Sequence, residues 1–369
     1  TPATIELCEI LLRDSGRLQE EDAEYANRRK TSKHRPALPL YTEDDAQRSL
    51  RLFRALPFEE EREIATGIRV RLQGAGHILG AASVRLSANA TSVLFSGDLG
   101  RPDDPIMNAP APIGKADYVV VESTYGDRLH EAQDVEAVLG DTIRRTAARG
   151  GTVLIPAFAV GRAQSLLYAI YRLKQRRAIP DLPVFLNSPM AIDMTDIYHR
   201  HRAEHRLSDA ECAGMCKVAT MVRSVEESRA LNAMTYPAVI VSASGMATGG
   251  RVLHHLKTLA PDRRNTVVFA GYQAAGTRGA RMVAGESSIR IHGQDIPVRA
   301  EVMSLEGISA HADARQIVQW LATAQRPPRR VYLTHGEPGP ADALRQRIER
   351  ELGWDAYAPR LGQTIEVES

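Results

Sequence analysis

Two short turns in the first third of the chain contain the residue types of a metal site. His77 stands among glycines at the end of an apolar, alternating strand, and Asp98 follows the next such strand in a Gly-Asp-Leu-Gly turn. Imidazole and carboxylate groups are ligands that Zn²⁺ accepts, and glycine allows backbone to pass close to a metal. Taken singly, a strand-end histidine is more often structural, and Gly-Asp also occurs in hairpin turns. The two turns therefore need further motifs beside them before they predict a metal site.

Three later motifs add ionisable residues at the ends of apolar segments. Glu122 closes the apolar run 116–122, His311 lies in Ser-Ala-His-Ala-Asp, and His335 lies in Thr-His-Gly-Glu. Together with the turns at His77 and Asp98, these ordered motifs resemble those of a metallo-β-lactamase-fold nuclease of the β-CASP group. The likeness is greatest to the RNA-processing branch, the bacterial and archaeal relatives of the cleavage and polyadenylation specificity factor nuclease subunit. It extends over essentially the whole chain.

The resemblance assigns a role to each of these residues. It implies that His77, Asp98 and His335 are metal ligands for two zinc ions, with Asp98 bridging them. It implies that His311 is the catalytic acid that protonates the leaving 3′-oxygen, and that Glu122 accepts the other ring N–H of His311 and keeps it oriented. The structural alternative for His311 is a histidine that caps or supports a helix beginning at Ala312.

The resemblance also implies the substrate. The RNA-processing branch has histidine at the position of His335, whereas the DNA-repair branch typically has an apolar residue there. We therefore expect a zinc-dependent ribonuclease that cuts single-stranded RNA endonucleolytically, with 5′ exonuclease action as an additional activity. A small-molecule metallo-hydrolase is disfavoured because the insert of roughly 180 residues between Gly126 and Glu306 would cover the site with a second domain.

One motif of the resembled family has no equivalent in these 369 residues. In the family, an upstream His-x-His-x-Asp-His loop supplies most of the metal ligands. The histidines of the central segment 199–205 stand in a polar helical context and are predicted to be solvated. The departure keeps a second function open, that of an inactive or truncated relative that acts as an RNA-binding module.

Hydrophobic periodicity divides the chain into two kinds of sheet. Alternation over 68–72, 82–86 and 93–95 predicts antiparallel strands, and after Gly126 helices and strands alternate as in a doubly wound parallel sheet. With the resemblance, the predicted fold class is α/β: a metallo-β-lactamase αββα sandwich, with its N-terminal strands missing, and an inserted doubly wound β-CASP domain. The predicted domains are the first part of the metallo-β-lactamase domain at 1–126, the β-CASP domain at 127–306 and the C-terminal part of the metallo-β-lactamase domain at 307–369.

Several segments are candidates for contact with RNA. Two strand-to-helix turns of the insert are typical of phosphate sites, because backbone N–H groups converge at a helix N-terminus. We expect substrate contacts from Arg162 in one turn and from Ser242, Ser244, Gly245, Gly249 and Gly250 in the other. Tyr272 either stacks a base or lies in the core. Near the N-terminus, an amphipathic helix is predicted to turn Ile5, Cys8, Leu11 and Leu12 to one face, and the densest basic cluster follows at 28–35, as a phosphate contact or a solvated helix end.

Composition places further limits on the function. The net charge of +2 means that RNA binding must come from local basic patches. The three cysteines, Cys8, Cys212 and Cys216, cannot form a disulfide framework, so a reducing, cytoplasmic location is expected. Cys212 and Cys216 are interpreted as partly buried helical thiols, since no second cysteine pair accompanies them. The apolar runs are too short for a membrane span, so no membrane partner is expected, and a homodimer is one assembly that the sequence leaves open.

Overall fold

The structure, a computed structural model, describes residues 1–130 and 133–368, without the side chain of Glu306. The chain opens with a helical hairpin of α1 (Pro2–Arg29) and α2 (Glu43–Leu50). Gly16 makes the hairpin close, because a Cβ there would lie 2.7 Å from backbone atoms of Thr42. Leu11 of the predicted helix face packs against the core, whereas the fully buried apolar residues of α1 are Ala3 and Leu7.

An antiparallel meander follows the hairpin. Its strands, and the parallel strand after it, are β1 (Glu61–Ala65), β2 (Ile68–Gly74), β3 (Ala82–Ala88), β4 (Thr91–Phe95) and β5 (Tyr118–Glu122). β5 pairs in parallel with β4 and is buried on both faces, as the continuous apolar run predicts. β1 was not predicted, because all five of its residues are exposed and it lacks an apolar alternation.

The insert alternates helices and strands. Its helices are α3 (Val135–Ala148), α4 (Arg162–Gln175), α5 (Pro189–Arg200), α6 (Asp209–Lys217), α7 (Val225–Leu231), α8 (Val252–Leu259) and α9 (Arg278–Val283). Its strands are β6 (Val153–Pro156), β7 (Val184–Asn187), β8 (Thr220–Met221), β9 (Val239–Ser242), β10 (Thr266–Ala270), β11 (Ser288–Ile291), β12 (Gln294–Pro297) and β13 (Glu301–Leu305). The six-stranded sheet has the order β13-β10-β6-β9-β7-β8, and every pairing in it is parallel. This is the doubly wound sheet that the sequence predicts.

The C-terminal part returns to the first sheet. It consists of α10 (Ala314–Leu321), β14 (Arg330–Thr334), α11 (Pro338–Leu352) and β15 (Ala356–Tyr357). β14 pairs in parallel with β5, which gives a seven-stranded sheet of order β1-β2-β3-β4-β5-β14-β15. In this register Thr334 lies beside Glu122, so the residues that follow both strands meet at one edge. The boundaries at 126 and 306 stay predictions.

Two predictions about side chains of the insert have different outcomes. Cys212 is buried and Cys216 partly buried on α6, both as free thiols, as interpreted from the sequence. The prediction that the histidines of 199–205 are solvated is wrong for His205, which is buried and hydrogen-bonded to the carbonyl of Tyr198. Throughout the described ranges, every helix is too short or too polar to span a bilayer.

Candidate metal centre and RNA cleft

The loops that present His77 and Asp98 are fastened to each other through glycine backbone. The N–H of Gly100 donates to the carbonyl of Ala75 at 2.8 Å. A Cβ on Gly100 would lie 1.9 Å from the oxygen of Gly76, so only glycine fits at this crossing. The two loops therefore approach as closely as two backbones can, and this contact fixes the separation of the histidine and the aspartate.

The loop of His311 joins the same assembly. The N–H of Ala312 donates to the carbonyl of Leu99 at 2.8 Å, and Gly100 and His311 form an isolated β-bridge. The helix after this loop begins at Ala314 and has Asp313 as its N-cap, with a capping box to Gln316. The alternative that His311 caps this helix is therefore wrong, and its imidazole is available for chemistry.

His335 reaches the site from the end of β14. Its backbone has a left-handed φ of 51°, and Gly336 then passes so close to Ser123 that a Cβ would lie 2.3 Å from the Ser123 Oγ. Ser123 donates to the carbonyl of Thr334 at 2.8 Å, and Thr124 donates to that of His335 at 3.1 Å. These bonds turn the side chain of His335 toward Asp98.

Asp98 lies between two imidazoles. Its Oδ2 is 3.9 Å from the Nε2 of His77, and its Oδ1 is 3.1 Å from the Nδ1 of His335. Ligand atoms of His77, Asp98 and His311 also lie within 4.8 Å of one another, a spacing that a metal ion can bridge. The side chains therefore bring nitrogen and carboxylate donors together, as zinc requires.

The state of His77 fits a metal ligand. Burial of its imidazole, assisted by the nearby His311, lowers the pKa of His77 to about 4, so the ring is neutral at pH 7. Its buried Nδ1 has no hydrogen-bond partner among the described residues. A neutral imidazole whose Nε2 faces the carboxylate of Asp98 is a donor that zinc accepts. The donor set fits the metal, although a tetrahedral ion needs more ligands than these residues supply.

His311 and Glu122 form a pair of a different kind. The Nδ1–H of His311 donates to the carboxylate of Glu122 at 3.0 Å, and Glu122 is 1% exposed at its side chain. Burial opposes protonation of His311, but the hydrogen bond and charge of Glu122 outweigh it, so the pKa of His311 is raised. Glu122 also accepts the N–H of Leu99, which holds the carboxylate in place. The pair favours the protonated form of His311 and leaves its Nε2 available for proton transfer.

Two residues that sequence reasoning missed support this pair. The Nε2–H of His130 donates to the carbonyl of His311 at 2.7 Å, and its backbone N–H donates to Asp313 at 2.9 Å. Tyr125 contacts both histidine rings edge-on, with ring centroids 6.0 Å from His311 and 5.6 Å from His130. Tyr125 belongs to the segment Glu-Ser-Thr-Tyr-Gly that begins with Glu122, and its place in that segment is the sequence signal that could have indicated a role.

A cavity of about 420 Å³ opens beside His77 and His311. Arg162 lines it from the first turn of α4, and the Nη1 of its guanidinium is buried without a hydrogen-bond partner in the described chain. Burial lowers the pKa of Arg162 to about 10, so the group stays charged at pH 7. The cavity also contains the aromatic ring of Phe158, which is 41% exposed. An unpaired buried cation next to the histidines is suited to a phosphate.

The second predicted phosphate turn lies next to the first. The N–H of Ala157 donates to the carbonyl of Ser242, and a Cβ on Gly245 would lie 2.9 Å from the nitrogen of Phe158. The prediction for Ser242 is corrected, because its side chain is fully buried and donates to the carbonyl of Asn187. Ser242 joins two strand ends instead of contacting a ligand.

The substrate contacts expected from Ser244, Gly245, Gly249 and Gly250 stay predictions, but some of the hydrogen-bonding groups of this turn are already used within it. The Oγ of Ser244 accepts the N–H groups of Thr248 and Gly249 at 3.1 and 3.3 Å, so those two donors are already used. Helix α8 begins at Val252, three residues after Gly249. Gly250, with a φ of 76°, makes the turn that delays the helix.

Tyr272 lies in another cavity, of about 620 Å³, which Ser309, two residues before His311, also lines. Its side chain is 62% exposed, so the alternative of a core tyrosine is wrong. Arg128 and His130 line the same cavity, as does Tyr125. An exposed aromatic ring beside cationic and polar groups is suited to stacking a nucleic-acid base.

Comparison with known proteins identifies related domains and chains. The Beta-Casp domain matches residues 163–282, and the Zn-dependent metallo-hydrolase RNA specificity domain matches residues 295–359. The chain is 33% identical over 375 residues to ribonuclease TTHA0252 of Thermus thermophilus, covering 100% of this chain and 81% of that protein. It is 31% identical over 385 residues to transcription termination factor FttA of Pyrococcus abyssi, covering 100% of this chain and 57% of that protein.

A third relative has a similar likeness. The chain is 30% identical over 341 residues to an RNase J-like protein of Methanocaldococcus jannaschii, covering 89% of this chain and 77% of that protein. The chain thus spans most of the two nuclease relatives and little more than half of FttA. The two sheets of the structure and these matches all indicate a metallo-β-lactamase-type fold with an inserted β-CASP domain. The chain belongs to the β-CASP family of metallo-β-lactamase-fold ribonucleases.

Proposed function

We propose that this chain contains the catalytic centre of a zinc-dependent ribonuclease that hydrolyses phosphodiester bonds of single-stranded RNA. The observation that carries the proposal is the arrangement around Asp98, with one imidazole facing each carboxylate oxygen and the His311–Glu122 pair alongside. Endonucleolytic cleavage, with 5′ exonuclease action as an additional activity, is part of the proposal. A relative named as a ribonuclease, of which this chain covers 81%, supports catalysis over the RNA-binding module.

The finer arrangement of the metal centre belongs to the same proposal. His77 and His335 lie next to different oxygens of Asp98, so these three side chains would hold the zinc, and we propose two ions with Asp98 as the bridging ligand. Zinc bound there would activate water and stabilise negative charge on the phosphate oxygens. The ligands that these three residues do not supply correspond, by resemblance, to the upstream histidine motif of the family.

His311 is placed to act as the general acid. Its Nδ1–H is held by Glu122, so the proton on Nε2 is the one that can pass to the leaving 3′-oxygen of the RNA. Loss of that proton leaves a neutral ring still bonded to Glu122, and the product carries a 3′-hydroxyl. The oxygen of a water molecule forms the new bond to phosphorus as the bond to the 3′-oxygen breaks, so the other fragment carries a 5′-phosphate.

Arg162 is proposed to bind the phosphate next to the one that is cleaved. Its buried Nη1 has no partner among the described residues, and it shares a cavity with His77 and His311. We expect Arg162→Met to raise KM for RNA about tenfold or more with zinc content unchanged, since a charge-assisted hydrogen bond contributes about 1.5–3 kcal/mol. Arg162→Lys keeps the charge but loses the planar guanidinium. Its KM for RNA should therefore lie between those of the wild type and of Arg162→Met. Unchanged KM in both variants would contradict this role.

The experiment that tests the function is cleavage of labelled RNA by the full-length protein, before and after zinc is removed with a chelator. We expect cleavage of single-stranded RNA that zinc restores, with products ending in 5′-phosphate and 3′-hydroxyl groups. A β-lactam and a thioester are tested as substrates for the alternative function, that of a small-molecule hydrolase. Hydrolysis of these compounds without RNA cleavage would reject the proposal, and tight RNA binding without any cleavage would favour the binding module.

A further inference from the structure

The end of the helical hairpin carries a cluster of positive charge that the catalytic site does not use. We call it the basic tip and define it by six residues at the end of α1 and in the following turn: Arg28, Arg29, Lys30, Lys33, His34 and Arg35. All six are exposed, and the segment from Asn27 to Tyr41 contains no aspartate or glutamate. Such a local excess of cations is the electrostatic signature of a polyanion contact in a chain with a net charge of only +2.

The charges of the basic tip are free, in contrast to those on the rest of the hairpin. Arg13 pairs with Glu43 at 2.8 Å, Arg17 with Glu21 at 2.8 Å and Arg48 with Asp44 at 3.2 Å. In the described chain, none of the six basic-tip side chains has an ion pair or a hydrogen bond. The nearest aromatic ring is Tyr25, which is 55% exposed and lies 5.9 Å under the guanidinium of Arg29. Free cations beside an exposed ring are the combination that binds single-stranded nucleic acid.

The basic tip is held in position by the chain that follows it. The side-chain amide of Asn27 donates to the carbonyl of Ala37 and accepts its N–H, at 2.9 and 2.7 Å. Gln19 accepts the N–H of Leu40 at 3.0 Å, and Tyr41 donates to Ser15 at 2.7 Å. These bonds tie the returning segment to α1, so the cations are presented on a built surface.

The same helix connects the basic tip to the catalytic cavity. Leu11 lines the cavity with His77 and His311, and α1 continues without interruption to Arg29. At 1.5 Å per residue, the basic tip lies about 28 Å from the cavity wall. That distance corresponds to about eight nucleotides of a stacked strand at roughly 3.4 Å each. The acidic residues Glu21, Asp22 and Glu24 lie in between, so RNA would contact the basic tip as a separate point and not along the helix.

We infer that the basic tip is a second binding site for the backbone of the RNA substrate, about eight nucleotides away from the bond that is cleaved. This inference rests on the proposed function for its substrate. It predicts that long RNA gains affinity from the basic tip, while an RNA too short to span the distance gains none. The site binds phosphate groups without reading bases, so its contribution weakens as salt increases.

The test compares RNA of about 5 and about 30 nucleotides on the full-length zinc-loaded protein. The variant reverses three charges of the basic tip, as Arg28→Glu, Lys33→Glu and Arg35→Glu together. A matched control makes the same change in charge at three exposed arginines of the insert, as Arg229→Glu, Arg263→Glu and Arg299→Glu. A milder variant with glutamine at the three tip positions guards against a folding defect.

We expect the tip variant to raise KM for the long RNA about tenfold at low salt and to reduce the slope of log affinity against log salt by about 2. The short RNA should be cleaved as by the wild type, and the control variant should change neither value. Equal effects on both RNAs, or an unchanged salt slope, would overturn the inference. If the wild type cleaves neither RNA, the proposed function fails, and fluorescence anisotropy with the long RNA still decides whether the basic tip binds it.

Discussion

At the scale of single residues, the role of His311 is the sharpest question. A histidine held by a buried carboxylate is typical both of a general acid and of a zinc ligand with its supporting carboxylate. The spacing of His77, Asp98 and His311 permits the second role. Glu122 raises the pKa of His311 against the effect of burial, which suits the first role, because a general acid must carry a proton near neutral pH.

Substitution of His311 separates the two roles. We expect His311→Ala to lower kcat by roughly 10² to 10⁴ while zinc content stays that of the wild type. Glu122→Gln should lower kcat less and leave KM for RNA unchanged, since Glu122 acts through His311. Steady-state kinetics and elemental analysis of the same samples provide both measurements. A loss of zinc in His311→Ala would assign this residue to the metal instead.

At the scale of elements, the site depends on how closely its loops can approach. The turns after β2, β4 and β14 each contain a glycine or a left-handed residue at the point of closest contact. At Gly100 and Gly336 the Cβ of any other residue would overlap neighbouring atoms, which is why the motifs contain glycine at these positions. The geometry around Asp98 is therefore a property of backbone packing as much as of the ligands.

Gly100→Ala tests this dependence. The added Cβ would lie 1.9 Å from the oxygen of Gly76, so the loops of His77 and Asp98 must separate. We expect zinc affinity to fall at least tenfold, measured by competition with a chelator, because a shift of ligands disrupts coordination. Gly74→Ala is the matched control, since a Cβ there meets nothing within 4 Å. Equal affinity in the two variants would show that the loops tolerate the separation.

Much of the fold and site was predictable from local patterns, and the exceptions have physical reasons. β2 to β5 were found because one or both of their faces are apolar, whereas β1 has no buried residue. Ser242 has the residue type of a phosphate ligand, but only the pairing of β7 and β9 reveals that its hydroxyl is used between strands. Phe158 and His130 contact the site through folding of distant segments, which no local pattern records.

At the scale of the whole molecule, the insert and the metal-binding loops are joined as one catalytic unit. Glu204 of the insert accepts the N–H of Gly80, three residues after His77, at 2.8 Å. The backbone N–H of Arg206 in the insert donates to the carbonyl of Ile106, in the segment after the Asp98 loop, at 2.8 Å. Folding of the insert therefore supports the position of His77, and the stability of the two parts should be linked.

The stability of the molecule should depend on pH through His255. This buried histidine donates its Nδ1–H to Asn232 at 2.7 Å and accepts from Asn187 at 2.6 Å, and burial lowers its pKa to about 4. His254 and Arg251 oppose its charge as well. Because the folded pKa lies below the unfolded value of about 6.5, the contribution is full above pH 6.5 and is lost as pH falls toward 4.

We expect protonation of His255 to lower the free energy of unfolding by about 3 kcal/mol as the pH falls from about 6.5 to about 4. Urea unfolding at a series of pH values measures it, and His255→Gln should flatten the dependence. His199→Gln, at an exposed position, is the matched control and should leave the slope unchanged. An identical pH dependence in wild type and His255→Gln would rule out this contribution.

In the proposed function, Asp98 together with His77 and His335 holds the zinc on which RNA cleavage depends. The most direct measurement is zinc per chain, by elemental analysis of the full-length protein, in wild type and in Asp98→Asn. We expect about two equivalents in the wild type, as in a two-metal hydrolase, and loss of zinc together with cleavage in the variant. Wild-type zinc content and cleavage in Asp98→Asn would contradict it.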